Sequence, residues 1–266
     1  MNVYLYELKS LRNSIAIWVL SLSAITIIFL VLYPAFSDDV TAMKDMLAQF
    51  PPQIRNMFGL DLEVFFSFLG FYAYILTYIT LAGAVQAMSV GISVLAKEPM
   101  TKTTEFLLTK PVTRHYIVVS KLAAGLTALV VTVSVFTLFT YGIAKAMSVG
   151  SFDIGQYVML NGAFMLLQVW SMALGMLISQ LVRKVRSVVA LSISTVFGLF
   201  FVGLLGALLD DEKLRYLSPF KYFDYMRLLS EGSYEAVFVL LAIASALVMG
   251  AVSYVLYMRR DARGLV

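Results

Sequence analysis

Six stretches of this 266-residue chain contain no Asp, Glu, Lys, Arg or His: 15–36, 64–96, 122–144, 154–182, 187–209 and 236–258. Each reaches the ~20 residues that an apolar helix needs to cross a hydrocarbon layer ~30 Å thick. Water cannot satisfy backbone groups inside that layer, so a single crossing segment must close its own hydrogen bonds, as a helix does. The chain therefore reads as an all-α integral membrane protein with six spans in one domain, residues 1–266. Hydrophobic residues make up 61% of it and charged ones only 14%, an apolar load that no soluble core of this size would hide. The second stretch, 33 residues long, would measure roughly 50 Å as a helix. It is expected to tilt, kink or project, with Gly70, Gly83 and Gly91 as weak points. The first begins at Ile15 and lasts a full span, which reads as a crossing rather than a cleavable signal.

Charge then sets the direction of crossing. With the N-terminus inside, the inner segments hold 13 Lys and Arg and the outer ones 7, while Asp and Glu number 4 inside and 12 outside. Arg183, Lys184 and Arg186 in one very short loop carry the most weight, because short loops dominate the positive-inside bias. Both ends are expected in the cytoplasm. The same bias accounts for the net charge of +4, so no nucleic-acid partner is implied.

Between and before the spans lie four further segments. Residues 1–14 are expected to form a short amphipathic helix on the inner membrane surface, with Val3, Leu5, Leu8 and Leu11 toward lipid and Glu7, Lys9 and Arg12 in water. Residues 37–63 form an outer loop with Pro51-Pro52. Residues 210–235 are too charged to span and rich in aromatics, including Tyr216, Phe220, Tyr222, Phe223 and Tyr225. Two readings fit them: a helical or re-entrant piece at headgroup level, or an interfacial loop with anchoring rings. The inner loop 97–121 reads KEPMTKTTEFLLTKPVTRHYIVVSK. Thr101, Thr103 and Thr104 are candidate caps for a short helix through Phe106, Leu107 and Leu108, which Pro111 ends. Three adjacent apolar residues in an inner loop need cover, whether from the loop, from lipid or from a partner protein.

Much catalytic chemistry is missing. The chain has no cysteine and one histidine, His115, which excludes thiolate clusters and sites built on several imidazoles. No G-x-x-x-x-G-K-S/T sequence occurs, so no P-loop holds ATP here. The spans carry no carboxylate pair for a membrane protease or a buried proton relay. Glu63, Asp153 and Glu235 stand at span ends and read as solvated acids. Gln86, Asn161, Gln168 and Gln180 lie within spans, where they line a pathway or hydrogen-bond a neighbouring helix. Phe65, Phe66, Phe68, Phe71, Tyr72, Tyr74 and Tyr78 make either an adaptable greasy surface or a lipid-facing one.

The inner loop resembles the signature region of ABC type-2 permeases, the membrane subunits of many bacterial ABC exporters. That family tends to show an acidic residue, a Gly-Thr-x-Glu, a Leu-Leu pair, Pro-Val-Ser/Thr-Arg and a Lys opening the next span. Glu98, Thr103, Glu105, Leu107, Leu108, Pro111, Val112, Thr113, Arg114 and Lys121 occupy those places, with Lys102 where Gly is common. Looser likenesses are the ELK of Glu7, Leu8 and Lys9 followed by Trp18, Phe50-Pro51 with Phe58-Gly59, and SPFKYFD at 218–224.

The resemblance implies a division of labour. Two permease copies, or two related permeases, would pair in the bacterial cytoplasmic membrane and dock two separate ATPase subunits, which supply ATP and Mg²⁺ chemistry. No cofactor is expected in this chain. Loop 97–121 would hold a coupling helix, with Phe106, Leu107 and Leu108 buried in the ATPase and Glu105 and Arg114 orienting it. Residues 1–14, including Arg12, would be an elbow helix. Segment 210–235 would be a re-entrant outer gate built on Ser218, Pro219, Phe220 and Phe223. Facing copies of spans two and five would line the pathway, where Tyr72, Tyr78, Gln86, Phe197 and Phe201 lie. A non-transporting ABC-associated module and a self-sufficient carrier or channel are the alternatives.

Overall fold

The computed structural model describes residues 2–37, 40–51, 54–55, 61, 64–101, 113–147, 152–182, 184–209 and 211–259. All regular structure among them is helical: α1 (Val3–Ser37), α2 (Val40–Ala48), α3 (Phe68–Thr101), α4 (Arg114–Ala146), α5 (Ile154–Leu181), α6 (Val188–Leu209), α7 (Glu212–Arg215), α8 (Tyr225–Glu231) and α9 (Ala236–Arg259). A single 3₁₀ turn, Pro219–Lys221, lies between α7 and α8. The helices α1, α3, α4, α5, α6 and α9 are each long and apolar enough to cross a membrane, matching the six charge-free stretches.

Boundaries depart from the sequence reading where local chemistry decides. The surface helix expected over 1–14 is not a separate element, because α1 is one helix of 35 residues from Val3 to Ser37. Neither Gly nor Pro stands between residues 3 and 33 to break it. Likewise α3 runs past Ala96 to Thr101, which ends this helix instead of capping the next. At its other end the chain turns over 64–67, and the Ser67 hydroxyl accepts the Gly70 N–H at 3.0 Å. Asp153 caps α5, its carboxylate accepting the N–H groups of Gly155 and Gln156 at 2.6 and 3.3 Å. Such caps satisfy donors that a helix start leaves open.

Contacts give the directions of the helices. Tyr72 meets Asn161, Gly83 meets Phe164 and Gln168, and Gly91 meets Met172, so α3 and α5 run parallel. Thr140 meets Tyr157 while Thr137 meets Asn161, so α4 and α5 are antiparallel. The Trp170 indole donates to Ser245 at 2.9 Å and the Tyr234 hydroxyl to the Met159 carbonyl at 2.6 Å, which makes α5 and α9 parallel. Tyr33 meets Phe68 whereas Glu7 and Val94 share Lys121, so α1 runs against α3. Ser89 meets Ser192 whereas Thr77 and Phe200 border one cleft, so α6 runs against α3 too. Successive long helices therefore alternate in direction.

The core lies around α3. Buried residues make up 83% of its most apolar window and 61% of that of α5, against 22% or less for α1, α6 and α9. Gly83 and Gly91 sit at helix contacts. A Cβ on Gly91 would overlap the Met172 carbonyl, and one on Gly83 would overlap the Phe164 ring, so these glycines let α5 approach closely. Part of the aromatic run at the start of α3 is also turned inward. Phe65, Phe68, Phe71 and Tyr72 are buried; the last three pack with Tyr33, Phe152 and Tyr157 at ring separations of 4.9–5.7 Å, and Phe65 packs on Phe71 at 5.8 Å. These four face the bundle interior and not lipid, while Phe66 and Tyr74 are half-buried and Tyr78 is exposed, so the surface reading holds only for the rest of the run.

Candidate functional site

Two regions bring the sequence-predicted residues together: the end of the bundle that carries loop 97–121, and the opposite end, where segment 210–235 folds. At the loop end, Thr113 caps α4 by accepting the Tyr116 N–H at 3.2 Å. Arg114 is half-buried in the first turn of α4. Two turns further on, Lys121 is only 4% exposed. A cation held this deep needs partners, since desolvating it alone costs several kcal/mol. It donates to the Val94 carbonyl of α3 at 3.4 Å and faces the Glu7 carboxylate of α1 at 3.9 Å. One ammonium thus ties together α1, α3 and α4 beneath the loop.

The Glu7 side chain is 13% exposed. It turns into the bundle instead of into water, because Lys121 draws it there. Leu8 is half-buried beside it, while Lys9 and Arg12 are exposed as expected. Val3 is buried, and the Tyr4 hydroxyl shares a hydrogen bond with Thr127 at 3.1 Å. At the same end, His115 Nδ1 and the Tyr254 hydroxyl lie 2.8 Å apart and join α4 to α9. Glu98 stands in the last turn of α3, its side chain outside the described residues. Thr103, Glu105, Phe106, Leu107, Leu108 and Pro111 also lie outside the described residues, as does Glu63.

The opposite end is built by capping and ion pairing. Asp211 caps α7 through the Lys213 N–H at 2.9 Å. Asp224 caps α8 through the N–H groups of Met226 and Arg227, at 3.2 and 3.4 Å. Gly232, at φ +66°, ends α8 in the left-handed conformation that glycine adopts without strain. Arg215 pairs with Glu235, lies 3.9 Å from the centre of the Phe238 ring and donates to the Lys221 carbonyl at 2.9 Å. Arg227 approaches the same Glu235 at 3.3 Å. Glu235 is therefore the partner of two arginines, not a solvated acid, because the segment folds back over the start of α9.

This fold-back goes deep. Ser218 is fully buried and donates to the Leu199 carbonyl at 2.8 Å, ten residues or roughly 15 Å inside the end of α6. The Tyr225 hydroxyl shares a hydrogen bond with Thr80 at 2.5 Å, about 18 Å along α3. Pro219 and Phe223 are buried, and the Phe220 ring meets Phe200 edge-on at 5.4 Å. Residues 218–226 thus reach into the bundle between α3 and α6. Beside them opens a cleft of ≈ 40 Å³ bordered by Thr77, Tyr78, Phe200, Gly203, Lys221 and Asp224, space for more than one water molecule. Burial pushes the Asp224 carboxyl upward. The Lys221 ammonium at 3.2 Å, the N–H groups of α8 and the Arg215 charge outweigh it and hold the carboxyl below the ordinary carboxylate range.

Of the residues read as pathway-lining, only Tyr78 borders this cleft. Tyr72 is buried at the α3–α5 contact, where its hydroxyl donates to Asn161 Oδ1 at 3.0 Å. Gln86 is buried too and donates to Thr132 Oγ1 at 3.0 Å. Both lie inside the helix seam, where these hydrogen bonds tie them to neighbouring helices. Phe197 and Phe201 lie on the exposed face of α6, their rings 6.5 Å apart. Sequence reasoning passed over the Lys221–Asp224 pair, whose i,i+3 spacing was its signal, and Glu7–Lys121, whose separation in the chain left none.

A search of curated proteins finds no match to this chain. A family model described as "ABC-2 family transporter protein" matches residues 1–262. The six long helices, the loop-end junction and residues 218–226 all fall within that match, and the chain belongs to the ABC-2 family of transporter proteins.

Proposed function

We propose that this chain is the membrane-spanning permease of an ATP-driven exporter in the bacterial cytoplasmic membrane. It pairs with a second permease and docks two ATPase subunits that bind ATP and Mg²⁺. The loop between α3 and α4 is the docking element, with Phe106, Leu107 and Leu108 as its contact and Glu98, Thr103, Glu105, Pro111 and Arg114 shaping it.

The observation that favours this reading is the Lys121 junction. A loop that receives force needs a stiff base, and a buried ammonium shared among three helices supplies one. A push on the loop would pass through Val94 to α3 and through Glu7 to α1. The re-entrant segment, at the far end of α3, is then placed to respond as the outer gate, with Ser218 and Phe223 as its buried anchors.

The test is the paired substitution Leu107→Asp and Leu108→Asp. The membrane fold should survive, the ATPase should no longer co-purify, and flux should fall to background. Normal transport by the double variant would refute the docking assignment. Flux by the purified chain in liposomes without ATPase would favour a self-sufficient carrier. An intact permease–ATPase complex that moves nothing would favour a non-transporting module.

A further inference from the structure

Helices α3, α4 and α5 meet along one seam, and the middle of that seam is polar. Gln86, Thr132 and Gln168 are each at most 1% exposed. Gln86 Nε2 donates to Thr132 Oγ1, which itself donates to the Ala128 carbonyl at 2.8 Å. The second amide atom of Gln86, Oε1, has no hydrogen-bond partner among the described residues, and neither Nε2 nor Oε1 of Gln168 has one. Leaving an amide group buried and unpaired is costly, so most such groups in native proteins are satisfied.

The three side chains share one level. A Cβ on Gly125 would touch Met172, Val90 and Val94, which fixes where α3, α4 and α5 meet nearer the loop end. From there Gln86 lies one turn from Val90, Gln168 one turn from Met172 and Thr132 two turns from Gly125, all displaced away from the loop. Gly83 lies directly against Gln168 and Phe164 at this level. The close approach of α3 and α5 at Gly83 and Gly91 favours a small occupant. The chemistry is equally restrictive. Two carbonyl oxygens need donors and one NH₂ needs an acceptor. A cation would leave the NH₂ unpaired, and an anion would leave the oxygens unpaired. Water has two donors and acceptor capacity to match.

We propose that Gln86 and Gln168 hold a buried water molecule between α3, α4 and α5. It receives a hydrogen bond from Gln168 Nε2 and donates to the two amide oxygens.

The full-length chain in lipid nanodiscs tests this by X-ray hydroxyl-radical footprinting in ¹⁸O-labelled water. A bound water is activated in place, so its buried neighbour Phe164, which lies beside Gln168 against Gly83, should take up the label, while Met88, equally buried, should not. In the same discs Gln168→Leu should abolish that labelling and lower Tm by about 2–4 °C. Adding Gln86→Leu should lower Tm little further, since either substitution empties the site. Unlabelled Phe164 in the native chain overturns the proposal. So does a Gln168→Leu variant with unchanged or raised Tm. If the Leu variants fail to fold, the native-chain labelling alone decides.

Discussion

Lys121 is the side chain whose surroundings constrain it most. Its ammonium is almost wholly withdrawn from solvent, and Glu7 is nearly so. Removing one member of such a pair leaves the other charged and buried, which costs about 3 kcal/mol or more, whereas removing both relieves that penalty. Lys121→Met should therefore destabilise the chain by about 3 kcal/mol, and adding Glu7→Gln should restore part of the loss. Unfolding followed by the fluorescence of Trp18 and Trp170 measures both variants. If the double variant is less stable than Lys121→Met, the pair does not work this way. Lys121 as the opener of a span was legible in the sequence because it flanks a charge-free run. Its partner was not, because Glu7 lies far away in the chain and only the packing of α1 on α4 brings them together.

Among the elements, the segment that reaches into the bundle is held by groups that titrate. The native carboxyl of Asp224 is held below its ordinary value, so its ionised form adds stability. That contribution is whole above the ordinary carboxylate range and is lost as pH falls through the depressed native value. The chain contains no cysteine, so a spin label at Ser230→Cys reports on α8 alone. It should stay immobile at neutral pH and loosen only below the ordinary carboxylate range. Asp224→Ala, which removes the helix cap at a cost of about 1 kcal/mol, should mobilise the label at neutral pH. Loosening of the native chain well above the carboxylate range would contradict the assignment. This segment was half-legible. Its charge ruled out a span and its rings marked an interface, but depth was set by Ser218–Leu199 and Tyr225–Thr80, contacts between distant parts of the chain. The long helices were fully legible, since a bilayer leaves an uncharged run of that length little else to be. The continuity of α1 was not, because a charged amphipathic start and an apolar continuation look like two elements unless a breaker separates them.

For the whole molecule, the alternating helix directions leave two orientations in the membrane, and the Lys and Arg count favours the one with loop 183–186 inside. Single cysteines in this cysteine-free chain decide it. A membrane-impermeant maleimide on intact cells should label Glu212→Cys, and should reach Lys9→Cys and Lys184→Cys only after permeabilisation; the reverse pattern would invert the topology. The distribution of burial also bears on how the protein is made. The most apolar stretches of α3 and α5, the two most buried long helices, are less hydrophobic than those of the other four. The segments that end up farthest from lipid are thus the least suited to sit in lipid alone. During synthesis α3 emerges well before α5, its main neighbour, has been translated. Until then its small residues and amides face acyl chains or an insertion factor. The vulnerable moment for this protein falls between the second and fourth insertions, where a substitution that slows the meeting of α3 and α5 sends the nascent chain to proteolysis before any transport function is at stake.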